Sequence, residues 1–149
     1  MNDRFTNGLL GGTLAGIVYI TWSLISQFIL HWTNRTVVGF GSLLSFNQPP
    51  QSAIQYAWGA IVALGISAGV GIVFSYLVLL IESENLYLKA IVYSMGVWFL
   101  LNDVVVPRIS ETADGPFTIG TVSSASIGAI LFGIVLAYTY GFLVKRVVE

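Results

Sequence analysis

Four runs of about 20 or more apolar residues, separated by polar connections, dominate this sequence. A helix rises about 1.5 Å per residue and the hydrocarbon core of a membrane is about 30 Å thick, so each run is long enough for one crossing. Soluble domains carry about 25% charged residues, whereas this chain of 149 residues carries 9%. The surface of its fold must therefore face lipid rather than water.

Inside hydrocarbon the backbone must satisfy its own hydrogen bonds, which favours helices, because strands would require an alternating pattern that is absent here. We predict a single all-α domain over residues 1–149, an integral membrane four-helix bundle. The first run exceeds the apolar core of a cleaved signal peptide, so we interpret it as a retained span. The predicted spans are residues 8–31, 54–81, 86–106 and 118–144.

The connections between the runs differ in length. Residues 32–53 form the longest, and Pro49 and Pro50 break the chain before the second span. Its apolar middle, residues 37–46, is too short to cross a membrane. This segment is either an ordinary loop with hydrophobic anchors or a segment that lies in the interface or dips into the protein. The tight connection at 82–85 makes the second and third helices antiparallel neighbours.

Positive charges indicate the orientation, because Lys and Arg are enriched in cytoplasmic loops. The side with both termini and the 82–85 connection holds Arg4, Lys89, Lys145 and Arg146. The opposite, outer side holds Arg35 and Arg108. We therefore predict that both termini are cytoplasmic. Aromatic residues near the span ends are typical of an interfacial belt, namely Tyr56, Trp58, Trp32, Tyr87 and Tyr140.

Small residues recur at every fourth position in three of the predicted helices. Membrane helices associate where small residues let their backbones approach, because lipid tails are as apolar as leucine. This pattern predicts a helix-packing interface, either within the bundle or with another protomer or subunit. Its members are Gly8, Gly12 and Gly16, then Gly65 and Gly69, then Ala125, Ala129, Gly133, Ala137 and Gly141.

The two halves of the chain also resemble each other. Residues 17–19 followed by Trp22 match residues 91–93 followed by Trp98, and residues 71–76 match residues 133–138. This echo is either a duplicated helical hairpin, arranged as a parallel repeat, or the chance similarity of apolar sequences.

Ionisable residues inside spans are candidates for function because lipid makes them costly. Asp103 lies near the outer end of the third span, four residues before Pro107. Such a group either forms a salt bridge that fixes the outer loops or belongs to a polar site at an outer cavity. The polar residues on one face of the first helix either pack against other helices or line a small pocket. The candidate polar site comprises Asp103, Asn102, Arg108, Arg35, His31, Gln27 and Ser23.

The composition excludes several kinds of chemistry. The chain has no cysteine, and its one histidine cannot supply both axial ligands of a b-type haem. No buried carboxylate pair, Ser/His/Asp set or phosphate-binding glycine loop is present. The net charge of −1 provides no basic field for nucleic acid. We therefore expect no enzyme activity, no cofactor and no metal site.

Residues 96–102, Gly-Val-Trp-Phe-Leu-Leu-Asn, followed by Pro107, resemble the third span of the YqhR-like small membrane proteins of Gram-positive bacteria. The long first outer connection and the glycine-rich second helix are similar as well. The resemblance implies a four-span protein of the bacterial inner membrane, and it implies no activity.

We predict a non-enzymatic membrane protein that works through helix–helix contacts, as a homo-oligomer or as an accessory subunit of a membrane complex. Its expected partners are the lipid bilayer and other membrane subunits. The alternative is a small transporter or channel whose oligomer forms a pathway lined by Gln27, Ser23 and Asp103. A third hypothesis is the binding of a lipid or quinone between helices near Trp22, Trp98 and the outer loop.

Overall fold

The computed structural model describes residues 3–81, 84–105 and 118–146, and these ranges contain helices and no strand. The all-α fold class is therefore confirmed. A π-helical segment of six residues, Leu100–Val105, continues the fourth helix. The helices are α1 (Arg4–Phe28), α2 (Val37–Phe46), α3 (Ala53–Leu77), α4 (Leu86–Phe99) and α5 (Ile119–Arg146).

Three of these helices are long and apolar enough to cross a membrane: α1, α3 and the part of α5 from Ile119 to Val144. They correspond to the first, second and fourth predicted spans. In place of the third predicted span, 86–106, the structure has the 14 residues of α4 followed by the π-helical segment. The predicted boundary at Val106 lies outside the described residues.

Each helix begins after a residue whose side-chain oxygen accepts a hydrogen bond from a backbone N–H in the first turn. Such caps satisfy N–H groups that have no partner within the helix. The capping residues are short polar ones that the sequence places just before each apolar run. They are Asp3, Thr36, Ser52, Asn85 and Thr118.

Residues 37–46 form a helix, so the interpretation of this segment as an ordinary loop is wrong. Val38 and Phe40 of α2 are buried against the rest of the chain. A Cβ atom on Gly41 would overlap the carbonyl oxygen of Gly59, so the backbones of α2 and α3 are in direct contact there. Asn47 then ends α2 in the left-handed conformation, with φ of 53°. The segment is therefore a helix that packs against the rest of the chain.

Helix α1 lies in the middle of the bundle and packs against both α3 and α5. A Cβ atom on Gly12 would overlap the carbonyl oxygen of Ser67, and one on Gly16 would lie 2.5 Å from the Cβ of Ser67. Only glycine permits so close an approach of two helices. The small residues of the first predicted helix thus contact α3 within the same chain.

Helix α4 packs against α5 through the small residues of the fourth predicted span. A Cβ atom on Gly133 would lie 2.7 Å from the Cα of Ile91, and Ser94 Oγ donates to the carbonyl oxygen of Ala129 at 2.7 Å. In α3, by contrast, a Cβ atom on Gly65 or Gly69 meets no atom within 4 Å among the described residues. These two glycines face away from the bundle.

An aromatic cluster ties together α3, α4 and α5. The ring of Phe74 lies 5.4 Å from that of Tyr93 and 5.9 Å from that of Tyr140. The Tyr93 hydroxyl donates to the carbonyl oxygen of Val70 at 2.9 Å. Tyr140 is buried, with 7% of its surface exposed, so it packs inside the bundle near the end of α5.

Candidate functional site

A cavity of about 610 Å³ lies at the end of the bundle where α1 ends and α5 begins, which we call the α2 end. Its floor is α1, one wall is α2 with the start of α3, and the other wall is formed by α4, the π-helical segment and α5. The space exists because α2 packs on α3 while α4 packs on α5. The two shorter helices therefore stand on opposite sides of α1.

The floor consists of one face of α1, on which Tyr19, Trp22, Ser23 and Gln27 follow each other at helical spacing. Two of these side chains are fixed by hydrogen bonds to other helices. Trp22 Nε1–H donates to the carbonyl oxygen of Ser124 at 2.9 Å. Ser23 Oγ accepts the N–H of Val37 at 3.0 Å, which holds the first turn of α2 against α1.

The first wall begins at residues 33–36, just before α2. The Thr33 hydroxyl donates to the carbonyl oxygen of Arg35 at 2.9 Å and accepts its N–H at 3.0 Å. A further bond of 3.2 Å joins Thr33 to the hydroxyl of Thr121 in α5. These bonds fix the backbone at Arg35. Arg35 lines the cavity together with Thr36 and Phe40.

The second wall is mainly apolar, with Met95, Trp98 and Phe99 from α4. The Trp98 ring meets the Tyr19 ring edge to face at 4.9 Å and 85°, so this wall contacts the floor there. Phe99 is 62% exposed and Met95 is 41% exposed, so this wall has an open apolar rim. Because α4 is apolar, the rim opens towards lipid if the helix lies in a membrane.

Among the lining residues that the structure describes, Arg35 is the one with a formal charge. The Gln27 side chain also lines the cavity, but its Oε1 atom is covered by protein atoms and has no hydrogen-bond partner within the described parts of the chain. Asn102 lines the cavity from the π-helical segment, and its Nδ2 donates to the carbonyl oxygen of Trp98 at 3.1 Å. The cavity therefore combines apolar walls with polar groups of both hydrogen-bonding types.

Four residues of the candidate polar site, namely Ser23, Gln27, Arg35 and Asn102, line this cavity. His31 does not belong to the lining; it is exposed and has a positive φ of 53°. Asp103 lies in the π-helical segment, and its side chain is outside what the structure describes. Arg108 is also outside the described residues.

Ser26, the third polar residue on this part of α1, is fully buried and is not among the lining residues. Its hydroxyl has no partner among the residues that the structure describes. The polar face that the sequence suggests is thus divided between the cavity and the bundle interior.

Sequence reasoning missed the contribution of α2 to the cavity. Thr36 and Phe40 line it, and Thr36 also caps the helix by accepting the N–H of Gly39 at 2.9 Å. A threonine before an apolar run is the signal that would have predicted this helix.

No family model matches this chain, and neither the curated proteins nor the solved structures contain a match to it. The resemblance to the YqhR-like proteins therefore stays a prediction.

Proposed function

We propose that this protein binds an amphipathic small molecule of the membrane, a lipid or a quinone, in the cavity at the α2 end, and that it is not an enzyme. The cavity carries this proposal. Its volume of about 610 Å³ falls within the range of about 300–1,000 Å³ that is typical of small-molecule sites. It also joins polar groups to an apolar rim, as a ligand with a polar head and an apolar body requires.

The floor of the cavity is held in place without a ligand. Trp22 donates to the carbonyl oxygen of Ser124 and Ser23 accepts the N–H of Val37, so both side chains are fixed by other helices. A preformed floor of this kind is typical of small-molecule sites, which are usually largely formed before the ligand binds.

The proposal includes a four-span fold in a bacterial inner membrane, with both termini in the cytoplasm. α4 and the π-helical segment together supply residues 86–105 as the remaining crossing, and Lys and Arg favour this orientation. The chain has no cysteine, so single cysteines report topology without background. We expect Phe5→Cys and Glu84→Cys to react from one side and Gln48→Cys from the other. Labelling of Phe5→Cys and Glu84→Cys from opposite sides would overturn the topology.

The binding proposal is tested by filling the cavity. Ala125 lines it from α5, whereas Ile130 of the same helix lies outside it and is 36% exposed. Native mass spectrometry from mild detergent should detect a retained lipid or quinone on the wild-type protein. We expect Ala125→Phe to lose this ligand and Ile130→Phe, which places the same aromatic ring outside the cavity, to keep it. Equal retention by both variants would contradict the proposal.

A second candidate function is assembly through helix–helix contacts, as a homo-oligomer or as an accessory subunit of a membrane complex. The face of α3 around Gly65 and Gly69 supports it, because both glycines are unpacked within the described chain. Ile61 and Val73 on the same helix are also at least half exposed, at 57% and 50%. If this face forms the contact, Gly65→Leu with Gly69→Leu reduces the size of the detergent-solubilised particle. An unchanged size and unchanged co-purified proteins would exclude it.

A transporter or channel is the alternative to binding, with Ser23, Gln27 and Asp103 on its pathway. We favour binding because the cavity joins polar groups on its floor to an open apolar rim at Met95 and Phe99, which suits an amphipathic ligand. Liposome flux that disappears in the Asp103→Asn variant would favour transport instead.

A further inference from the structure

We propose that the ligand is a membrane quinone, which is a planar ring with two carbonyl oxygens on a single apolar chain. Its ring lies in the cavity at the α2 end, and its chain lies in a second, apolar pocket between α3 and α4. This inference rests on the proposed function and names the chemical class of the ligand. Three features of the molecule carry it: the aromatic lining of the cavity, two hydroxyl groups in that lining, and the adjoining pocket.

Aromatic side chains surround the cavity. Six of its 24 lining residues are aromatic, a quarter of the lining, whereas 13% of the whole chain is aromatic. They are Tyr19, Trp22, Phe40, Tyr56, Trp98 and Phe99. Trp22 is fixed by its hydrogen bond to Ser124, and Tyr19 and Trp98 contact each other edge to face. Rings held in this way contact another ring face to face with an offset or by their edges, at little cost in conformational entropy. The cavity therefore favours a ligand with a planar ring.

Two hydroxyl groups of the lining have no hydrogen-bond partner among the described residues, namely those of Tyr19 on α1 and Ser124 on α5. Unlike the oxygens of Ser26 and Gln27, neither hydroxyl oxygen is enclosed by protein atoms. Tyr19 and Ser124 expose only 7% and 4% of their surfaces, so the accessible part of each belongs to the cavity that it lines. A hydroxyl group there is able to donate to a ligand. The carbonyl oxygens of a quinone are acceptors at the edge of the ring.

An apolar pocket of about 40 Å³ adjoins the cavity where α3 and α4 hardly touch each other. Tyr19 and Trp98 belong to the linings of both spaces. Val70 of α3 and Val97 of α4 line only the pocket and are half-buried, so it opens outward between these helices. Since one water requires about 10–15 Å³, the pocket has room for a stretch of one chain and not for two. The two spaces together therefore suit a ring with one chain better than a two-chain lipid.

Ligands that differ in one part at a time test this inference. Delipidated protein is titrated by native mass spectrometry with phylloquinone, which has a naphthoquinone ring and one phytyl chain. The comparison ligands are 2-methyl-3-phytylnaphthalene, which lacks the carbonyl oxygens, menadione, which lacks the chain, and dioleoyl phosphatidylcholine.

We expect phylloquinone to bind most tightly of the four. Two neutral hydrogen bonds together contribute about tenfold in affinity, so the naphthalene should bind about tenfold more weakly. Menadione should bind at least about a hundredfold more weakly than phylloquinone, because it buries no chain methylenes. Phosphatidylcholine should also bind more weakly, because the pocket has no room for its second chain.

The hydroxyl groups are tested by Tyr19→Phe and Ser124→Ala. Each variant should reduce the preference for phylloquinone over the naphthalene by about threefold, and the double variant should abolish it. Tyr138→Phe is the control, since Tyr138 is 64% exposed and lies outside both linings, and it should keep the preference. Because each variant is compared across ligands, a general loss of stability does not imitate these results.

The pocket is tested by Val97→Phe, which fills it. This variant should bind phylloquinone at least about tenfold more weakly, because the chain and the added ring would overlap, and should bind menadione as the wild type does. Val92→Phe makes the same change on α4 at a residue that is 62% exposed and outside both linings. It should leave the affinity for both ligands unchanged.

Three outcomes would overturn the inference: phosphatidylcholine binding as tightly as phylloquinone, a preference for the quinone over the naphthalene that survives the double variant, or equal effects of Val97→Phe and Val92→Phe. If phylloquinone binds no better than phosphatidylcholine but Ala125→Phe still excludes lipid, the inference fails and the proposed function stands. If Ala125→Phe excludes neither ligand, both fail.

Discussion

The distance between α1 and α3 depends on the absence of single methyl groups. At Gly12 an added Cβ would overlap the carbonyl oxygen of Ser67, which belongs to a helix backbone and cannot rotate away. At Gly69 the same atom would meet nothing within 4 Å in the described chain. Two glycines with the same sequence pattern therefore have opposite structural roles.

We predict that Gly12→Ala destabilises the protein by about 1–3 kcal/mol, because the added methyl group overpacks a close helix crossing. Gly69→Ala serves as the control and should stabilise the protein by up to about 1 kcal/mol, because the added Cβ meets no atom in the described chain and a helical glycine loses more conformational freedom than alanine. Thermal unfolding in detergent measures both. Equal effects of the two substitutions would contradict the packing described for α1 and α3.

The cap of α1 makes a prediction about pH. Side-chain and backbone hydrogen bonds from Thr6 hold the pKa of the Asp3 carboxyl below its ordinary value of 3.8. Because the pKa is lower in the folded state, the stabilisation is complete above the unfolded pKa and is lost as the pH falls through the folded one. The stability difference between wild type and Asp3→Asn should therefore be constant from about pH 5 to 8 and shrink below about pH 4.

A cap that cannot ionise provides the control for this prediction. Ser52 caps α3 by accepting the N–H of Gln55 at 3.4 Å. The stability difference between wild type and Ser52→Ala should not depend on pH between about 3 and 8, the range in which carboxyl groups titrate. An Asp3→Asn difference that stays constant down to pH 2 would show that the carboxylate of Asp3 does not act as the cap.

At the scale of elements, α2 shows where sequence reasoning succeeds and where it stops. The apolar runs identify α1, α3 and α5, because hydropathy and local caps such as Ser52 are properties of neighbouring residues. The position of α2 depends instead on Gly41 meeting Gly59 and on Ser23 accepting the N–H of Val37. These contacts join residues that are distant in the chain, so no local pattern predicts them.

Ser23 is predicted to hold the first turn of α2. Ser23→Ala leaves the buried N–H of Val37 without an acceptor, which costs about 1–3 kcal/mol. This loss weakens the packing of α2 against α1. Hydrogen exchange should therefore accelerate selectively in residues 37–46. The control is Ser45→Ala, since Ser45 Oγ donates within α2 to the carbonyl oxygen of Gly41 at 2.9 Å. Equal acceleration in both variants would refute this role of Ser23.

At the scale of the whole molecule, the cavity results from an uneven bundle. α1 contacts α3 and α5, while α2 and α4 each cover one of those neighbours and leave the α1 face between them open. The sequence allowed Gln27, Ser23 and Arg35 to be selected, because a helical face and a lone charge are visible locally. It could not reveal that these residues share a cavity with Phe40 and Phe99, because that depends on the relative positions and orientations of the helices.

The central claim is that an amphipathic molecule occupies this cavity, and photolabelling in membranes tests it most directly. A lipid with a diazirine in its acyl chain is activated in vesicles that contain the protein, and its adducts are located by peptide sequencing. We predict that adducts concentrate on the cavity residues Leu43, Met95 and Phe99 and that Ala125→Phe removes them. Adducts spread over outward residues such as Ile61 and Tyr138 in proportion to their exposure, and unchanged by Ala125→Phe, would contradict the claim.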